Sequence, residues 1–327
     1  MDMKRLLVFG GIIIAVIAGL TIFTPFSSKK VDNTEVNLTV FVSTFSLLEA
    51  GRAVAGNVIE VRSVVPVGSD PHMFSPNPSQ VAELSKSALF IYNGAGFETW
   101  AENMKKTLPL SVKVVDMSQF VTLQKNGEGY SVNHDEHAHE SEHQDEHEHR
   151  HGGYDPHYWL DIDNMISMTR TLDREFSQLL PDKAERFHQN TAAYIAELEK
   201  LKGEFTQGLS ECKNRILVSN HDAFGYLTRA NKLETLSLIG LSSDEQPSAQ
   251  TMAHVVETVK KHGIKTIFFE ELVNDSLSRT IAKETGAVAE SLQPLANISE
   301  DALESHQTYL SVMRENLKKL REAMECR

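Results

Sequence analysis

Cysteine is nearly absent from this chain: Cys212 and Cys326 are the only two among 327 residues. So few thiolates, placed far from the histidine motifs described below, leave no cysteine-built metal site. No cluster of Lys and Arg resembles a phosphate-binding face, and the formal net charge is −13. Nucleic acid is therefore excluded as a partner, and the acidity suits solubility or cations instead. Long apolar runs are missing everywhere except at the N-terminus. With 41% hydrophobic and 24% charged residues, the rest has the make-up of an ordinary globular protein with a real core.

The single apolar run covers residues 6–26, follows Lys4 and Arg5, and contains no charge. Its length is enough to span a bilayer as a helix, with the two cations left on the cytoplasmic side. No small-x-small cleavage site follows it, and no nearby cysteine could take a lipid. The expectation is an uncleaved anchor, with a cleaved signal peptide as the rival. On either reading the folded part is exported, to the periplasm or the outer face of the cytoplasmic membrane. In an exported protein the even pair Cys212 and Cys326 suggests one disulfide, tying the chain end to the C-terminal half.

Residues 27–36 read as a polar tether. Short β-branched or apolar runs at 38–42, 58–65, 88–92 and 112–115 predict strands. Helical patterns at 47–55, from Pro78, and at 98–106 lie between them. After a break at Pro181, residues 183–209 show one long amphipathic pattern: Phe187, Ala193, Ile195, Leu198, Leu201 and Phe205 recur at helical spacing. The rhythm then restarts, with strands at 215–218, 236–239, 266–269 and 288–292. Helices at 222–230, 250–262 and 276–285 separate them, and a closing helix spans 299–324. Alternating strand and helix predicts parallel sheets. The fold class expected is α/β, with two similar lobes at 37–182 and 210–327 joined by one long, rigid helix at 183–209.

Two motifs carry the chemistry. Asp-Pro-His occurs at Asp70-Pro71-His72 and again at Asp155-Pro156-His157. Proline restricts its own φ and that of the residue before it, so the histidine leaves a stiff turn in a defined direction. That suits a metal ligand, which must wait in position. Between the copies, within a loop at 131–152, lie His134, His137, His139, His143, His147, His149 and His151, interleaved with Asp and Glu. This tract reads as a solvated accessory collector of zinc. His221 follows another strand end, where open α/β sheets bind ligands. His72, His157 and His221 are thus the candidate ligands of one site in the cleft between lobes. His188, His254, His262 and His306 fall on polar helix positions and are expected to be solvated.

The chain resembles the cluster A-I metal-binding proteins of ABC importers, the ZnuA/TroA-like solute-binding family, from about residue 38 to its end. The resemblance rests on Gly68-Ser-Asp-Pro-His-Met-Phe-Ser-Pro-Asn-Pro-Ser79, Asn93-Gly-Ala-Gly-Phe-Glu98, Asp155-Pro-His-Tyr-Trp-Leu-Asp161 and His221-Asp-Ala-Phe-Gly-Tyr226, with a weaker match at Phe268-Phe-Glu270. It implies two α/β lobes with the metal between them, His72, His157 and His221 as histidine ligands, and a membrane permease as partner of a monomeric receptor. Manganese-binding relatives usually place a carboxylate at the third position, so His221 implies Zn²⁺. Where the family commonly offers an acidic residue, this chain reads Leu292-Gln-Pro-Leu-Ala296. Water, or a nearby acid such as Glu270, is left to complete the coordination. A manganese-binding relative, a zinc-binding surface adhesin and a zinc hydrolase remain as alternatives; the expected protein is not an enzyme.

Overall fold

A computed structural model describes residues 38–125, 153–241 and 246–327. The expected segment at 6–26, its tether and the histidine tract lie outside the described residues. Among those described, no helix is long and apolar enough to cross a membrane.

The first lobe holds β1 (Thr39–Val42), α1 (Phe45–Ala55), β2 (Glu60–Ser63), α2 (Pro78–Leu84), β3 (Leu89–Tyr92), α3 (Thr99–Lys105) and β4 (Lys113–Asp116). Its sheet is all parallel, in the order β2-β1-β3-β4. Parallel strands are covered on both faces, which is why β3, Leu-Phe-Ile-Tyr, is apolar throughout and buried at every position. Asn77 and Gln80 form a reciprocal capping box at the start of α2, with Pro78 at its first turn.

Two helices follow, α4 (Ile162–Leu179) and α5 (Ala184–Gly208). Asp161 caps α4 by accepting from the Asp163 amide. The expected long helix is α5, and it buries Phe187, Thr191, Leu198, Leu201 and Phe205. Ala193 faces solvent instead of the core: the buried stripe passes through Thr191, four residues after Phe187, and leaves Ala193 round the side of the helix.

The second lobe repeats the first. It contains β5 (Ile216–Ser219), α6 (Gly225–Ala230), β6 (Glu234–Ser237), α7 (Ala249–His262), β7 (Thr266–Phe269), α8 (Ser276–Thr285) and β8 (Val288–Ser291). Its four parallel strands run β6-β5-β7-β8, the same order as in the first lobe.

Three local expectations need correction. The strand expected at 236–239 begins two residues earlier, and the helix expected from 222 starts only at Gly225. The closing helix is two helices, α9 (Glu300–Glu304) and α10 (Tyr309–Ala323). His306 has φ +54° and leaves the helical region. Thr308 then starts a new helix with a capping box to Ser311. His306 therefore sits in a turn. His254 is half-buried on α7, whereas His188 and His262 are exposed on their helices. A disulfide joins Cys212 to Cys326.

Candidate metal centre

Each Asp-Pro-His turn is organised by its own aspartate. Asp70 Oδ1 accepts from the His72 amide at 2.9 Å, and Asp155 Oδ1 accepts from the His157 amide at 2.9 Å. These are Asx turns closed two residues ahead, the local geometry that Asp before Pro favours. Asp155 goes further: the same oxygen lies 2.8 Å from His157 Nδ1. That places the proton on Nδ1 and leaves the Nε2 lone pair for a cation.

His221 follows β5, and Glu270 follows β7, its neighbour in the sheet. Glu270 Oε1 is hydrogen-bonded to His221 Nδ1, and His221 Nε2 lies 2.9 Å from the Leu241 carbonyl oxygen. Burial alone would push the His221 imidazole down. The charge of Glu270, the hydrogen bond to it and the Leu241 carbonyl outweigh that and lift it to about 9.

The fold brings the three candidate histidines together. His72, His157 and His221 offer ligand atoms that all lie within 4.8 Å of one another, and theirs is the cluster of metal-binding type found among the described residues. Their ring centroids stand 5.0 to 5.3 Å apart. His157 and His221 are fully buried, and His72 partly so. The Nε2 atoms of His72 and His157 are 3.3 Å apart. Two imidazole nitrogens held at about 2.0–2.1 Å by a tetrahedral zinc stand about 3.3–3.4 Å from each other. Phe97 and Trp159 wall the site, with the Phe97 ring 4.4 Å from that of His72. The cleft cavity beside His72, His157 and Glu270 measures about 20 Å³. That is room for about one water or ion.

Residues missed at the level of sequence stand behind the His157 turn. Asn93 Nδ2 donates to the Pro156 carbonyl at 3.1 Å, and Tyr158 Oη donates to the Asn93 carbonyl at 2.6 Å. Glu98 accepts from the amides of Asn93 and Gly94, both at 3.0 Å. Gly94 has φ +78°, and a Cβ there would run into the Asp116 carboxylate; only glycine fits. From the second lobe, Tyr226 Oη donates to the Asp155 carbonyl at 2.9 Å. The signal was present in the Asn93–Glu98 and His221–Tyr226 motifs, whose polar residues had no assigned partner.

Glu98 gives a testable pH effect. Burial pushes its carboxyl from the ordinary 4.5 up to about 7, against the lowering influence of Ser43 and the Asn93 and Gly94 amides. The folded state thus holds the proton more tightly than the unfolded state. The associated stability is present below 4.5 and is lost as pH rises through about 7. The loss amounts to roughly 3 kcal/mol. Urea midpoints measured at pH 5 and pH 8 should converge in Glu98→Gln relative to the parent; an unchanged gap would assign the pH effect elsewhere.

Residues 40–323 match the family of the zinc-uptake complex component A, periplasmic. The chain belongs to this family. It is 31% identical over 315 residues to the zinc-binding lipoprotein AdcA of Streptococcus pneumoniae, covering 96% of this chain and 60% of that one. It therefore spans about three-fifths of the length of that relative. The crystal structure of the Zn(II)-bound ZnuA-like domain of AdcA from the same organism superposes with a TM-score of 0.72 at 30% identity, covering 88% of this chain and 99% of that one. The laminin-binding protein Lmb of Streptococcus agalactiae, described as a bifunctional protein with adhesin and metal-transporting activity, superposes with a TM-score of 0.75 at 26% identity. It covers 88% of this chain and is itself covered completely. The two-lobed parallel α/β fold is common to this chain and these solved structures.

Proposed function

We propose that this chain is an extracytoplasmic receptor that captures Zn²⁺ and hands it to an ABC-type membrane permease. The observation that carries the reading is the convergence of three imidazoles, whose ligand atoms lie within 4.8 Å of one another, beside a space of about 20 Å³ lined by His72 and His157. His72, His157 and His221 are the ligands, and water completes a tetrahedron. Glu270 is already engaged with His221 Nδ1, so it orients that ring and raises its basicity in place of binding the ion. Capture at His221 displaces a proton. Neutral imidazole ligands favour zinc over manganese, which suits harder oxygen donors. The space is too small for an organic substrate, which disfavours the hydrolase reading. Cys212 and Cys326 have no part in the site.

Residues 37–182 and 210–327 are the two lobes of this receptor and 183–209 the bridge. The segment at 6–26 holds a monomer at the outer face of the cytoplasmic membrane, and the histidine tract at 131–152 collects zinc. Metal analysis after native purification should find one zinc per chain, retained when residues 131–152 are deleted. Loss of all zinc on that deletion would move the site to the tract. Zinc-limited cells lacking the protein should lose high-affinity uptake. The likeness to Lmb favours one second reading, a surface adhesin: normal uptake together with lost adhesion in such cells would support it.

A further inference from the structure

The segment from Gln293 to Ile298 leaves β8 and enters α9 without forming helix or strand, yet Pro294 to Ile298 are all buried. Buried irregular backbone must find partners for its polar groups. These partners are in the first lobe. Pro294 O accepts from Trp159 Nε1 at 2.6 Å, and Leu295 O accepts from Ser46 Oγ at 2.8 Å. Ala296 O accepts from the Phe45 amide at 2.8 Å, and Ile298 O accepts from the Gly68 amide at 2.9 Å. From behind, Asn316 on α10 grips Gln293 at both its amide and its carbonyl.

The two contacts that matter most reach the ligand turns. Trp159 is two residues beyond His157. Asn297, 7% exposed, donates both hydrogens of its amide, to Pro66 O at 2.7 Å and to Ser69 O at 2.8 Å. Asp70 comes next, and its carboxylate accepts from the His72 amide. His72 is the least enclosed of the three histidines, and Met73 beside it is 61% exposed. The loop that carries His72 is thus pinned from a part of the chain more than two hundred residues away. Leu295, fully buried, has φ +56°. A branched side chain in that region costs of order 1–3 kcal/mol and persists only where the surroundings over-determine it.

We infer that residues 293–298 are a strap that sets the spacing of the two Asp-Pro-His turns, with Asn297 as the positioning residue for His72. The inference rests on the reading of His72 as a ligand. Asn297 touches no metal; it acts through the 66–70 loop, so its loss should cost what outer-shell partners typically cost, about 10–100-fold in affinity.

The test is a double-mutant cycle on the full chain, read by competition titration with Zn²⁺. Asn297→Ala should weaken binding by about 10–100-fold. In a His72→Ala background the same change should have almost no further effect, because the residue it positions is gone. Co²⁺ loaded into Asn297→Ala should show weakened tetrahedral absorption bands. Asn297→Leu keeps the bulk without donors and should behave like Asn297→Ala; it also serves in place of Asn297→Ala if that variant fails to fold. Parent-like affinity in a folded Asn297 variant overturns the inference, as does an undiminished loss in the His72→Ala background. Parent-like affinity in His72→Ala alone overturns the ligand reading and the inference with it.

Discussion

His157→Ala should lower zinc affinity by more than the 10–100-fold typical of losing an outer-shell partner, and should do so without unfolding the protein. His157 is fully buried, with its Nδ1 proton committed to Asp155 and its Nε2 3.3 Å from that of His72. Removing the imidazole takes away one of the three clustered candidate nitrogens and admits water to a site walled by Phe97 and Trp159. At about 1.4 kcal/mol per tenfold, a 1,000-fold loss corresponds to about 4 kcal/mol of binding energy. Asp155→Asn is the graded companion. It keeps the ring but removes the carboxylate that fixes its tautomer, so it should fall within the 10–100-fold range. Competition against a chelator of known affinity reads both, and thermal melting of the metal-free proteins checks the fold. Parent-like binding by His157→Ala would sink the site assignment.

Reduction of the Cys212–Cys326 bond, or its removal as Cys212→Ser with Cys326→Ser, should cost stability and leave the metal site intact. The bond closes a separation of 114 residues, from the end of α5 to the end of α10. In the chain-entropy account a loop of that size contributes about 4–5 kcal/mol by restricting the unfolded chain. For a protein of this size that is a fall in melting temperature of about 6–8 °C. The bond encloses the whole second sheet, so both α10 and its Asn316 grip on Gln293 are released more readily without it. Calorimetry with and without reductant measures the effect. A melting temperature indifferent to reduction would show that tertiary packing alone holds the C-terminus, for which Leu317, Leu320 and Met324 are the buried contacts.

Much of the molecule was readable in advance because its rules are short-ranged. The period of apolar residues marked α5 to within one residue at each end, and β3 announced itself as a wholly apolar run. The Asp-Pro-His turns were legible because proline and the Asx turn act over three residues. Errors came where local signals compete. Every residue from 299 to 324 tolerates helix, so the pattern predicts one continuous closing helix, yet His306 turns the chain and Thr308 caps a new start. Apolarity alone puts Ala193 on the buried stripe, but Thr191 occupies that line.

By itself the sequence determined the two α/β repeats, the three candidate histidines, their metal class through the resemblance, and the disulfide partners. Each depends on residue type at a fixed local spacing, or on there being two cysteines and no more. Only the tertiary structure decided that Glu270 serves His221, that Asn93 and Tyr226 brace the His157 turn, and that Asn297 pins the loop bearing His72. Those contacts join residues 49 to 231 positions apart. No periodicity or motif encodes such pairs, because they exist only once two sheets have packed around a common cleft.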